Sequence, residues 1–135
     1  MAYKLIDIEG IGEDRAAKLA EAGLTTTDQL LEVAGGATGR KKLADSTGIS
    51  EKLILEWVNR ADLMRINGVG SEFSDLLEAA GVDTVKELAT RVPANLQAKM
   101  SEVNEAKKLT RRTPNLPEVE KWVAEAKTME AMVTH

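Results

Sequence analysis

The pentapeptide Ile8-Glu9-Gly10-Ile11-Gly12 decides the fold, because its pattern returns as Ile66-Asn67-Gly68-Val69-Gly70 at an offset of 58 residues. The register then holds without a gap from residues 19–30 to residues 77–88. Later matches, among them two Lys-Lys-Leu segments and two Trp-Val pairs, follow at a larger offset. A register this long predicts two tandem copies, at residues 1–61 and 62–135, the second with an insertion.

The residue pattern predicts an all-α protein in which the two copies pack as one pseudo-twofold helical domain. Ala, Leu, Glu and Lys dominate, and no segment alternates apolar and polar residues over the length of a strand. Glycines and prolines set the expected helix ends. The expected helices cover residues 13–22, a segment from Thr26 or Thr27 to the Gly35-Gly36 pair, residues 40–47, residues 50–61, a segment stopped by Pro93, residues 95 to about 112, and, beyond Pro114 and Pro117, the segment around Trp122.

The composition excludes several classes of function. The chain has 135 residues, no cysteine, and a single histidine, His135, at its end. Zinc fingers, disulfides, a His-based metal site and a catalytic triad therefore lack their residues, and we expect no enzyme activity, metal or cofactor. No apolar run approaches the roughly 20 residues of a membrane helix, and the first residues lack a signal-peptide core, so we expect a cytoplasmic protein without a membrane partner.

The repeated glycine pattern resembles the helix-hairpin-helix motif, in which a hydrophobic-Gly-hydrophobic-Gly turn joins two short helices. The glycines permit a tight turn, the apolar residue between them enters the core, and free backbone N–H groups at the start of a helix form an anion site. In DNA-binding members these groups hold a backbone phosphate. The resemblance implies phosphate contacts at Gly10, Ile11, Gly12, Gly68, Val69 and Gly70.

The residues after each hairpin depart from the DNA-binding pattern. DNA-binding hairpins usually place Lys or Arg in the first turn after the second glycine, where this chain has Glu13-Asp14 and Ser71-Glu72. Carboxylates there repel phosphate, yet they also stabilise a helix N-terminus without any ligand. The hairpins are therefore either structural connectors or phosphate sites helped by Arg15 and Lys18.

The order of elements over nearly all of the chain resembles an uncharacterised bacterial family of tandem helix-hairpin-helix proteins. The glycine motif is informative about the fold and weak evidence for function, since such units also serve as protein-interaction modules and as connectors in larger enzymes. The resemblance implies no reaction.

Two basic clusters occupy equivalent places in the copies and are the best candidates for nucleic-acid contacts. They consist of Arg40, Lys41 and Lys42 in the first copy and of Lys107, Lys108, Arg111 and Arg112 in the second. In the predicted helix Lys108, Arg111 and Arg112 can share one face and neutralise neighbouring phosphates. The alternative is a solvated helix face.

Two other features have competing interpretations. Ala44, Gly48, Ile54 and Trp57 follow helix-turn-helix spacing, but the helix that would enter a groove carries Glu51 and Glu56, which disfavours base reading. Trp57 and Trp122 are predicted to anchor the cores rather than to stack on bases.

These observations leave two non-enzymatic functions. The first is weak, sequence-independent binding of a nucleic-acid backbone through the hairpins and the basic clusters, limited by the net charge of −4. The second is a protein-interaction or scaffold module with no nucleic-acid role.

Overall fold

The computed structural model describes residues 3–134, and within this range the protein is all-helical. One isolated β-bridge, between Lys4 and Thr26, is the only extended pairing in that range. No helix within it is both long and apolar enough to cross a bilayer. A 3₁₀ turn at Leu5–Asp7 precedes eight helices: α1 Glu13–Glu21, α2 Thr27–Ala34, α3 Ala37–Thr47, α4 Glu51–Leu63, α5 Ser71–Ala79, α6 Val85–Leu88, α7 Pro93–Lys107 and α8 Leu116–Ala126.

The predicted end of α1 is confirmed to within one residue. Gly23 takes a left-handed φ of 86°, and its N–H donates to Ala20 O while the N–H of Leu24 donates to Leu19 O. This is a Schellman cap, with Leu19 and Leu24 both buried beneath it. At the end of α5, Gly81 has a φ of 96° and makes the same kind of cap.

The next helices begin close to the predicted positions. Thr26, one of the two predicted cap residues, caps α2, and it does so in a capping box with Gln29. Helix α3 starts three residues before the predicted position, because Gly36 takes the N-cap. Its interior glycine, Gly39, packs so tightly on α2 that an added Cβ would lie 1.8 Å from Val33 O. Glycine in a helix interior lowers the stability of that helix. The close packing of α3 on α2 explains why a glycine nevertheless stands at position 39.

The predicted helix from residue 95 to about 112 is wrong at both ends. Pro93 occupies the first turn of α7 and so begins this helix rather than stopping the previous one, which had ended at Leu88. At the other end Lys108 turns left-handed, with a φ of 52°, and the chain leaves the helix. Pro117 likewise lies in the first turn of α8 and does not separate it from the preceding segment.

The apolar side chains form two clusters. One runs from Leu5 to Met64 and is joined by Val133 from the C-terminal segment, and the other runs from Leu63 to Ala126. Trp57 and Trp122 lie in the two clusters, which confirms their predicted role as core anchors.

Helix α4 links the two clusters, because it packs on α2 and α3 of the first and on α5 of the second. Arg60 of α4 makes ion pairs of 3.0 Å with Asp75 and 2.8 Å with Glu78 of α5. Helix α8 packs on α6 and α7 in the second cluster.

Candidate nucleic-acid interface

The two glycine turns have matching backbones. Gly10 and Gly68 have φ values of 94° and 90°, a region that glycine enters without strain. Ile11 and Val69 are buried, and each N–H closes a turn by donating over 3.1 Å to the carbonyl three residues earlier. Gly12 and Gly70 then stand at the N-caps of α1 and α5. Glycine offers no capping side chain, so no N-cap side chain accepts from the first N–H groups of either helix.

Each turn is held by the last helix of its own half. A Cβ on Gly10 would lie 3.7 Å from the indole nitrogen of Trp57, and a Cβ on Gly68 would lie 3.3 Å from that of Trp122. A hydrogen bond adds to each contact: Arg60 donates to Glu9 O over 3.2 Å, and the N–H of Asn67 donates to the Glu125 carboxylate over 3.2 Å. Both turns are therefore rigidly supported from the core side.

The first turn is surrounded by charges of both signs. Glu13 and Asp14 are exposed in the first turn of α1, beside exposed Arg15 and Lys18. The Arg15 guanidinium lies 5.9 Å from the centre of the Trp57 ring. The carboxylates of Glu13 and Asp14 stay at the start of α1. They offset the attraction that Arg15, Lys18 and the helix N-terminus exert on an anion.

Two residues of the second basic cluster, Arg111 and Arg112, lie against the start of α5, the helix that follows the second turn. Lys107 ends α7, and Lys108, Arg111 and Arg112 are exposed in the loop that follows, so the predicted common helix face does not form. The loop returns to α5, where Arg111 Nε lies 3.5 Å from Glu72 Oε1. Glu72 is two residues beyond Gly70. The structure thus brings Arg111 close to the start of α5, two residues after the second glycine turn.

This loop is fixed by a buried amide. The N–H of Thr110 donates to Asn104 Oδ1 over 2.9 Å, and Asn104 Nδ2 donates to Thr110 O over 3.3 Å. Asn104 Nδ2 also donates to Thr113 Oγ1 over 3.2 Å. The Thr110 hydroxyl donates to Arg112 O over 2.6 Å. The backbone that carries Arg111 and Arg112 is therefore ordered by its own hydrogen bonds.

Arg112 is already engaged with protein groups. Its Nη1 and Nη2 donate to the two carboxylate oxygens of Glu118 over 2.7 and 2.8 Å, and its Cζ lies 5.2 Å from the centre of the Phe73 ring. The hydrogen bonds from Arg112 hold the pKa of Glu118 down to about 2, and those to Glu118 raise the pKa of Arg112. The two terminal nitrogens that would bind a phosphate are therefore already hydrogen-bonded to Glu118.

Arg40 does not belong to the exposed cluster predicted for the first half. It is buried, and its guanidinium donates to the carbonyl oxygens of Ala34, Gly35 and Thr134. It ties α3 to the end of α2 and to the C-terminal segment, which corrects its predicted placement on the surface. Lys41 and Lys42 are exposed on α3, which packs on α2 and α4.

The helix-turn-helix alternative has the expected turn and an unsuitable surface. Gly48 is left-handed between α3 and α4, and Ser50 caps α4. The exposed start of α4, however, carries Glu51 and Glu56 with a single cation, Lys52. This arrangement gives no support to base reading by α4.

Three residues of this surface were not predicted as part of it: Glu72 as the partner of Arg111, and Phe73 and Glu118 as the supports of Arg112. Their partners are distant in the sequence or lie across a loop, so no local pattern identifies them. One signal was present, since Phe73 is the only phenylalanine of the chain and stands three residues after Gly70.

The fold and this surface define a small all-α protein with two rigid glycine turns, one of them beside a basic loop. The chain belongs to the family described as a domain of unknown function (DUF4332), whose model matches residues 9–129. No curated protein and no solved structure matches the sequence.

Proposed function

We propose that the chain consists of two tandem helix-hairpin-helix units and acts as a non-enzymatic, weak, sequence-independent binder of the nucleic-acid backbone. The tandem assignment rests on the paired left-handed glycines, the paired Schellman caps and the paired tryptophans behind the turns. A closed pseudo-twofold arrangement has less support, because α1 packs mainly against the 3₁₀ turn while its counterpart α5 packs on both α4 and α7. The cytoplasmic location stays a prediction.

The observation that carries the binding proposal is the 3.5 Å approach of Arg111 to Glu72. This contact places the basic loop against the first turn of α5, immediately after Gly70. Backbone N–H groups at the glycine turn and the side chains of Lys107, Lys108 and Arg111 can then contact neighbouring phosphates of one strand. The first turn contributes less, since Arg40 is buried and Lys41 and Lys42 lie on a different helix.

The experiment is a fluorescence-anisotropy titration of a labelled single-stranded DNA and a labelled duplex at low salt. We expect dissociation constants in the micromolar range or weaker, little dependence on sequence, and a steep loss of affinity as salt rises, because counterion release drives such binding. Absence of binding at about 50 mM salt and tens of micromolar protein, where non-specific contacts still register, would overturn the proposal.

A protein-interaction module is the second candidate, and one observation favours it. An apolar groove of about 480 Å³ lies between the 3₁₀ turn and α1, lined by Ile6, Ala16, Ala17 and Ala20 among others. The equivalent face of α5 is covered by α4 through Arg60. We therefore take a helix of a second copy as the occupant of the groove. Sedimentation velocity tests this alternative: a concentration-dependent dimer that Ala17→Glu dissolves would support it, and a monomer at high concentration would remove it.

A further inference from the structure

We propose that the exposed face of the Arg112 guanidinium is a stacking platform for an unpaired nucleobase, so that the protein prefers single-stranded nucleic acid. This inference rests on the proposed function and assigns Arg112 a role other than phosphate binding. Its basis is the layered order of Trp122, Phe73 and Arg112, together with the bidentate hold of Glu118.

The layers begin in the core and end at the surface. The rings of Trp122 and Phe73 are 5.2 Å apart between centres and tilted by 53°, and the Arg112 guanidinium lies 5.2 Å from the centre of the Phe73 ring. Trp122 is buried and Phe73 half-buried, whereas the Arg112 side chain is 60% exposed. The series therefore ends in a planar cation with solvent beyond it.

The hydrogen bonds of its terminal nitrogens fix the orientation of the guanidinium. Both terminal nitrogens donate to the Glu118 carboxylate, and that carboxylate also accepts from the N–H of Asn115 over 3.0 Å, within the capping box of α8. The Arg112 carbonyl in turn accepts from Thr110. The guanidinium is held by Glu118 and the backbone of Arg112 by Thr110. The side chain therefore loses little further conformational freedom when a ligand stacks on it.

The chemistry left to Arg112 selects the ligand. Its two terminal nitrogens donate to Glu118, and that carboxylate offsets much of its charge, so Arg112 adds little to phosphate binding. The side chain is nevertheless 60% exposed, and guanidinium planes stack on nucleobases when the bases are free of their own duplex. Phosphates of the same strand can reach Lys108 and Arg111, which are exposed in the same loop. An unpaired base on Arg112 with its backbone along these cations is the arrangement that fits.

The test compares two oligomers with the same phosphates. One is an oligothymidine of about ten nucleotides, and the other is an abasic oligomer of equal length. We expect wild-type protein to bind the oligothymidine about five-fold or more tightly, in line with one stacked base. Arg112→Lys keeps the charge and removes the plane, so it should bring the two affinities together. Arg91→Lys is the matched control, because Arg91 pairs with Glu87 outside this surface and should leave the preference unchanged.

A resonance of Arg112 itself gives an independent readout. Its Nε–H signal should shift on addition of oligothymidine and stay in place with the abasic oligomer. Circular dichroism melting of Arg112→Lys checks that the variant folds. Equal wild-type affinities for the two oligomers, or an unmoved Arg112 signal, would overturn the platform and leave backbone binding standing. Failure of both oligomers to bind at low salt would overturn backbone binding and the platform together.

Discussion

Arg111 and Glu72 form an ion pair of 3.5 Å between the loop after α7 and the first turn of α5, although both side chains are largely exposed. An exposed pair at this distance contributes little to stability. Its importance is positional, because the cation stands beside the Gly68–Gly70 turn and is shared with a carboxylate that an incoming phosphate would have to displace.

Removing that carboxylate should strengthen nucleic-acid binding. Glu72→Gln frees Arg111 and takes one negative charge from the start of α5, so we expect binding several-fold tighter at low salt, with the gain shrinking as salt rises. Anisotropy titration measures the change. Glu102→Gln, an equal change of charge at an exposed position on α7, is the control. Equal gains in the two variants would show that net charge, and not this contact, controls affinity.

The glycine turns make a prediction about stability. Gly10→Val and Gly68→Val should each lower the free energy of unfolding by about 2–3 kcal/mol, because a branched side chain is strained at a φ near +90°. At Gly68 the new Cβ would also meet the Trp122 indole at 3.3 Å. Chemical denaturation measures the loss. Gly12→Ala is the matched control and should be tolerated, because Gly12 has a φ of −85° and open space where a Cβ would stand. Unchanged stability of both valine variants would contradict the assigned turn geometry.

Arg40 and Lys41 are neighbours with opposite expected behaviour. Arg40→Ala removes the buried side-chain donor that three carbonyl oxygens share, although Gly35 O still accepts from the N–H of Thr134, and should cost about 2–4 kcal/mol of unfolding free energy. Lys41→Ala, at an exposed position of the same helix, should stay within about 0.5 kcal/mol. Thermal or urea unfolding distinguishes the two. An Arg40→Ala variant that keeps its stability but binds nucleic acid more weakly would contradict the buried role and show that Arg40 contributes to binding.

The ion pair between Glu118 and Arg112 predicts that the stability of the protein depends on pH in the acidic range. The pKa of Glu118 is about 2 in the folded protein, below its ordinary value of 4.5, because Arg112 stabilises the carboxylate. The folded state therefore binds this proton less readily than the unfolded state. The contribution to stability is complete above pH 4.5 and is lost as the pH falls toward 2.

Carbon-detected NMR of the Glu118 carboxyl checks the midpoint directly. In Arg112→Gln the main cause of the shift is gone, so the Glu118 pKa should return toward 4.5 and the acid-dependent loss of stability in this window should shrink. A wild-type midpoint near 4.5 would show that the pair does not form in solution.

The sequence predicts most of this fold because the deciding signals are local. Schellman glycines, the Thr26 capping box and the apolar residues of the turns act within a few positions, so helix class and most helix ends follow from the chain alone. The end of α7 does not, because Lys-Lys and Arg-Arg favour continued helix while Asn104 diverts the chain by bonding to Thr110.

The candidate site depends more on distant contacts. Arg40 lies in a dense basic run, and its burial depends on contacts with the end of α2 and with Thr134, which is 94 residues away. The partnership of Glu72 with Arg111 is equally non-local. Most residues with exposed charge were therefore predictable, whereas the contacts of Arg111 and Arg112 with the start of α5 were not.

The most direct test of the central claim reverses the charge of the loop beside the second glycine turn. Lys107→Glu, Lys108→Glu and Arg111→Glu are combined in one variant and compared with Lys52→Glu, Lys86→Glu and Lys127→Glu, which change the net charge equally at exposed positions outside the loop. The measurement is anisotropy titration of single-stranded DNA at low salt, with circular dichroism confirming that both variants fold. We predict that the loop variant loses binding while the control variant keeps most of it. Equal losses in the two variants, or binding unchanged in the loop variant, would contradict the claim that this loop and the Gly68–Gly70 turn form the nucleic-acid interface.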